Sequence, residues 1–218
     1  MLGDLSKYYE VGSNGYCGTI STGWGDAGGK SYGLYQLSSV AGSVTSFIWW
    51  LSNHNNEYHN RLVRYPVGSK PFDSEWKAIA SENTEEFGRL QHDYIKRIYY
   101  DEAVKALREI YFNIEKHSEI MKDVIWSRAV QYGVGNIKEM FTDALRAMER
   151  KSGNEYPNLS YVDDKYFDAE LIKAIYLDVC HTEAWTNGSP SLRCGLYARF
   201  ESECDDALNA LLEESLDY

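Results

Sequence analysis

The sequence predicts a mainly helical chain, α+β in class, with one small glycine-rich β region near its start. Two observations predict this. From Val44 onward, apolar residues recur at the three-and-four spacing of an amphipathic helix in one stretch after another. Ahead of them, residues 11–36 hold eight glycines among Thr, Ile and Tyr, a composition that starves a helix and suits short strands joined by turns. No repeat or Pro/Gly/Ser linker divides the 218 residues, so the chain reads as one domain over 1–218. Within it, residues 1–40 hold the β region and 41–218 a bundle of helices, long enough together to bury a sizeable core.

Taken in order, residues 1–10 read as a short helix ending near Glu10, because Gly12, Asn14, Gly15 and Gly18 cannot sustain it. Residues 16–37 read as an irregular sheet or hairpin, with Ser31-Tyr32-Gly33-Leu34-Tyr35-Gln36 alternating as a strand does. Val44, Phe47, Ile48 and Leu51 mark a compact helix starting near Ala41. Thr84 caps the next, with Glu85 and Glu86 in its first turn and Phe87, Leu90, Tyr94 and Ile98 on its inner face. Met121, Ile125, Ala129 and Tyr132 make a stripe broken by Gly133 and Gly135. A helix over 137–150 follows, ending in basic residues, and Leu171, Ile172, Ile175, Tyr176 and Val179 form another stripe. The last stripe is Tyr197, Phe200, Cys204, Leu208 and Leu211 on a helix with an acidic face. Arg193 and Arg199, near Glu201 and Glu203, are expected to form surface or inter-helix ion pairs of small weight.

Composition excludes several classes of partner. A net charge of −11 argues against nucleic acid, which needs clustered Lys and Arg, and weakly against tight adhesion to anionic envelopes. No run reaches the eighteen or so apolar residues of a membrane span, so no membrane insertion is expected. The opening Met1-Leu2-Gly3-Asp4-Leu5-Ser6-Lys7 has neither a basic nor an apolar signal region, so synthesis without a secretory signal is expected. Four cysteines without C-x-x-C spacing read as ordinary thiols, a Cys180–Cys194 bridge after export being the alternative. Neither a metal nor an organic cofactor is expected. His54 and His59 lie in a polar stretch and read as solvated, whereas His92, beside Gln91 on a helix, could reach a groove. Eighteen tyrosines and six tryptophans serve either packing or as platforms for sugar rings.

The candidate chemistry gathers in the first forty residues. Glu10 sits at a helix end among Tyr8, Tyr9 and Val11, where apolar neighbours and the negative helix pole disfavour its charged form. Such a carboxyl serves as a general acid near neutral pH; otherwise it is a surface glutamate. Asp26, in Gly23-Trp24-Gly25-Asp26-Ala27-Gly28-Gly29, either positions a water or stabilises charge on a sugar ring, or supports a turn. Ser31, Tyr32, Tyr35 and Gln36 offer groups for a sugar, and Gly33 would admit a ring close to the backbone.

Glu10 followed by Gly-x-x-Gly, then Gly25-Asp26-x-Gly28-Gly29-Lys30 and Ser31-Tyr32-Gly33-Leu34-Tyr35-Gln36, resembles the catalytic region of the lysozyme-like superfamily. The nearest branch is that of phage endolysins, tail-associated muramidases and related secretion-spike proteins, with goose-type lysozymes, lytic transglycosylases and chitosanases as wider relatives. Residues 87–100 are similar to a helix of that branch, and Ala129-Val130-Gln131-Tyr132-Gly133 resembles its Ala-Val-Gln-His-Gly segment, with tyrosine in place of histidine. The resemblance implies a lysozyme-like fold, Glu10 as catalytic acid with Asp26 as a second group, and Gln36, Gln131 and Tyr132 lining a glycan groove. It implies a muramidase cutting the β-1,4 bond between N-acetylmuramic acid and N-acetylglucosamine of peptidoglycan strands. The alternatives are a lytic transglycosylase, a chitosanase-like glycosidase, or a non-catalytic glycan-binding virion module. Such a protein is expected in the host cytoplasm until holin-type release, or on a virion or injection device.

Overall fold

A computed structural model describes residues 2–3, 15–22 and 29–216. The helix expected over 1–10, together with Glu10 and Asp26, lies outside the described residues apart from Leu2 and Gly3. The mainly helical class with one small sheet is what the structure shows. The chain forms two compact units, one of Ser6–Ile98 and one of Met1–Leu5 with Tyr99–Tyr218.

In the first unit, strands β1 (Ile20–Thr22), β2 (Lys30–Tyr32) and β3 (Leu37–Ser38) form an antiparallel sheet in that order. The register sets Ile20 opposite Tyr32 and Tyr32 opposite Leu37. Residues 31–36 are therefore not one strand: β2 ends at Tyr32, and 33–36 turn the chain back into β3. Four helices follow: α1 (Ser43–Leu51), α2 (Asn56–Leu62), α3 (Lys70–Glu82) and α4 (Thr84–Ile95). Side-chain oxygens start three of them, Asn55 accepting from Tyr58 N–H, Ser69 from Phe72 N–H and Asn83 from Glu86 N–H. The cap of α4 is thus Asn83, one residue before the expected Thr84.

The core of this unit is aromatic. Trp76 is fully buried and meets Phe87 at 4.8 Å, Tyr32 at 5.3 Å and Phe47 at 5.8 Å between ring centroids, in edge-on geometries. Its indole N–H donates to the Cys17 carbonyl at 2.9 Å, so the ring buries no unpaired donor. Helices α2 and α3 have no counterpart in the sequence reading. For α3 the signal is present, since Phe72, Trp76, Ile79 and Ala80 keep helical spacing.

A π-helical turn, Lys96–Tyr100, carries the chain into the second unit. There α5 (Asp101–Arg108), α6 (Glu119–Tyr132), α7 (Ile137–Ser152), α8 (Asp168–Lys173) and α9 (Pro190–Leu216) pack around Trp126, Phe141, Leu171, Tyr176 and Phe200. Gly133 and Gly153 end α6 and α7 at φ of 81° and 72°, backbone that a β-carbon would strain. The stripe over 171–179 is real but splits, because α8 passes into a π-helical segment, Ala174–Val179. No helix of the described residues is long and apolar enough to cross a membrane.

Candidate glycan-facing site

The expected sugar-binding string at 31–36 forms a turn, and a residue outside that string controls it. Gly33 has φ of 74°, and a β-carbon there would lie 2.3 Å from the Gln91 amide oxygen. Gln91, fully buried on α4, accepts from Leu34 N–H at 2.9 Å and donates from Nε2 to the Cys17 carbonyl at 3.0 Å. The Gln91 amide thus packs against the Gly33 backbone. Gln91 stands beside Leu90 on the face that carries Phe87 and Tyr94, an amide in an apolar stripe, and that was the available signal.

Tyr32 is fully buried and its hydroxyl donates to Asp73 Oδ1 at 2.5 Å. Burial and then that carboxylate push its phenol pKa upward. Lys30 Nζ donates to Asp73 Oδ2 at 2.5 Å and to the Gly68 carbonyl at 2.7 Å, fastening β2 to the start of α3. Tyr35 is buried, with its hydroxyl 3.2 Å from His92 Nδ1. Gln36 holds a left-handed φ of 49°, unusual for a residue with a β-carbon. Its amide oxygen accepts from Ser21 Oγ at 2.7 Å, which ties the turn to β1, and its Nε2 donates to the Gly33 carbonyl at 3.3 Å. Ser31, half-buried, lies mid-sheet opposite Ser21 and Ser38.

Among the described residues of this unit, an open groove lies beside β1. This groove of about 590 Å³ runs between Tyr16, Thr19 and Ile20 on one wall and Ser74, Lys77 and Ser81 of α3 on the other. Tyr16 is 37% exposed, and its ring flanks Gly18, where a β-carbon would meet it at 2.5 Å. Ser74 and Ser81 spend their hydroxyl hydrogens on the Lys70 and Ala78 carbonyls, which leaves oxygen lone pairs to accept from a ligand. The groove therefore offers one aromatic face, acceptor hydroxyls and one ammonium. Sequence reading did not reach these residues, since Tyr16, Ser74 and Lys77 share no motif.

Gln131 and Tyr132 close α6 in the other unit, both half-buried. The Tyr132 ring stands edge-on to Trp185 at 5.5 Å, and burial followed by the Cys180 thiol raises its phenol pKa. The expectation that Glu203 forms a weak surface pair is corrected. Glu203 is fully buried against the equally buried Arg128, while its other oxygen accepts from Arg199 Nε at 2.6 Å. Arg193 does make a surface pair, with Glu183. His59 is also corrected: it is only 9% exposed, with Nδ1 at 2.7 Å from the Ile48 carbonyl. His54 is exposed. All four cysteines are free thiols, Cys194 exposed and the rest buried. No group of three or more metal-ligating side chains occurs among the described residues.

Comparison with known proteins redirects the reading. Residues 2–204 match the family model described as type VI secretion system spike protein VgrG3-like, C-terminal. A relative from Vibrio cholerae serotype O1, described as type VI secretion system spike protein VgrG3, is 34% identical over 216 residues, 99% of this chain. The chain spans only 19% of that relative. Both descriptions name a secretion spike protein, and neither names a hydrolase. They overturn the assignment to the lysozyme-like superfamily, and with it the readings as glycoside hydrolase, muramidase, endolysin and phage product. The chain belongs to the type VI secretion system spike protein VgrG3-like C-terminal family.

Proposed function

We propose that this chain is a glycan-binding part of a type VI secretion spike, carried on the injection device, that grips peptidoglycan strands without cutting them. The observation that carries the reading is the groove beside β1. A tyrosine face receives the C–H face of a sugar ring, the Ser74 and Ser81 oxygens accept sugar hydroxyls, and the Lys77 ammonium meets the carboxylates of peptide stems. Its open, half-apolar lining suits a long polymer laid across it more than a small molecule enclosed within it. The chain's charge of −11 repels an anionic wall at long range, so attraction must come from contacts within the roughly 8 Å screening length of physiological salt.

Co-sedimentation with purified peptidoglycan sacculi tests this. Wild type and Glu10→Gln are expected to pellet equally, and Tyr16→Ala combined with Lys77→Ala to remain largely in solution. Mass spectrometry of the supernatant should find no soluble muropeptides. Fragments released by wild type, or undiminished pelleting of the groove variant, would overturn the reading.

A further inference from the structure

Helix α1 turns Val44, Phe47, Ile48 and Leu51 inward and leaves Trp49 61% exposed. Beside it, the His59 ring lies 5.3 Å from the indole, centroid to centroid. His59 Nδ1 is 2.7 Å from the Ile48 carbonyl, which can only accept, so Nδ1 bears a hydrogen and Nε2 is the acceptor of the neutral ring. The next residue repeats the device. His54 stacks on Trp50 at 3.6 Å with an interplanar angle of 12°, and its Nδ1 is 2.8 Å from the Trp50 carbonyl. Two adjacent indoles thus each have an imidazole whose Nδ1 donates to a main-chain carbonyl, which leaves Nε2 of the neutral ring as an acceptor.

The surroundings are amide-rich, with Glu57 and Arg64 as exposed charged neighbours along the chain. On α2, Asn56 and Asn60 are exposed and share with His59 and Val63 the face spaced three and four residues apart. The nearest cation on that helix, Arg61, is committed to Glu75 and Glu82. A flat apolar ring, fixed acceptors and uncharged amides match a hydroxyl- and amide-bearing sugar ring, whose C–H face stacks while its edge donates and accepts.

We propose that the α1–α2 hairpin is a second saccharide contact, separate from the groove beside β1, with Trp49 as platform and His59 as acceptor for an N-acetylated amino sugar of a β-linked strand. It shares with the proposed function the class of ligand, and the two fail separately. The probe is the β-1,4 tetramer of N-acetylglucosamine, titrated into the full chain with Kd from calorimetry and indole N–H resonances followed by NMR. The Trp49 resonance is expected to move on saturation. Trp49→Ala should raise Kd about tenfold, as loss of one aromatic stack does, with Trp49→Phe between the two. Tyr16→Ala should leave the Trp49 shift in place. Because Trp49 is mostly exposed, its truncation should leave the circular dichroism spectrum and melting temperature near wild type. A silent Trp49 resonance, or an unchanged Kd in Trp49→Ala, overturns the inference and points instead to a protein surface covering this patch. Sacculus co-sedimentation lost in the groove variant but kept in Trp49→Ala would then leave the function standing without its second contact.

Discussion

Among the described residues, the unit of Ser6–Ile98 buries the neutral amide of Gln91 in its core, whereas the other unit buries the charged pair Arg128 and Glu203. Gln91 satisfies its two partners with ordinary hydrogen bonds inside an aromatic core. In the second unit Arg128 and Glu203, both fully buried, face each other. The guanidinium also lies 4.5 Å from the Tyr176 ring centroid and 5.2 Å from that of Phe200. Nearby on the chain, His117 is held between Asp168 at 2.6 Å and Asp163 at 3.2 Å, with Ser118 donating twice more to Asp168. Burying a charge costs several kcal/mol per ion, and only close pairing with full hydrogen bonding offsets it. A buried amide costs less and demands less. The difference teaches that the two units are vulnerable to different things: the first to loss of a hydrogen bond that shapes a turn, the second to loss of one member of an ion pair.

The sharpest way to break the comparison is Glu203→Gln, which leaves Arg128 buried and uncompensated. It should destabilise the second unit by about 3–5 kcal/mol, read by hydrogen exchange confined to peptides of 99–218. Arg128→Met with Glu203→Leu should recover most of that loss. If the single variant costs under about 1 kcal/mol, the pair is not the keystone its burial suggests. Next in size is Gln91→Leu, which strands the Leu34 N–H and leaves the Cys17 carbonyl with Trp76 as its remaining donor of the two. A loss of about 2 kcal/mol is expected, with faster exchange at residues 33–36 and the second unit unaffected. Smallest is a pH effect. Burial opposes ionisation of Asp163, but the Lys116 ammonium, the Asn113 N–H and the His117 ring outweigh it and hold the carboxyl below its ordinary value. The stability it contributes is therefore fully present above about pH 4, where an unfolded aspartate is ionised, and is lost as pH falls through the lower folded value. Asp163→Asn should flatten the acid limb of thermal stability in that window, and an unchanged limb would assign it to other carboxylates.

The site was less legible than the fold. The class, the glycine-rich sheet and the helical stripes from Val44, Phe87, Met121, Ile137 and Tyr197 followed from glycine placement, capping and apolar spacing, because those signals are local, whereas the start of the last helix at Pro190 did not. Helix α2 escaped because its seven residues, Asn56–Leu62, carry only Tyr58 and Leu62 as apolar anchors and bury a histidine. The string at 31–36 misled because alternation there coincides with a turn that Gly33 and Gln36 close with positive φ. The motif resemblance pointed to a glycosidase, while agreement over nearly the whole chain pointed to a secretion spike family.

What the sequence determined by itself was periodicity: which residues share a helix face, and where glycine must break it. Tertiary structure alone decided which polar groups go inside. Gln91 meets Cys17 across 74 residues and Arg128 meets Glu203 across 75, and a polar side chain can be buried only where a distant segment brings its partner. Helical spacing reports which way a side chain faces on its own element; it carries no information about what the rest of the chain places opposite.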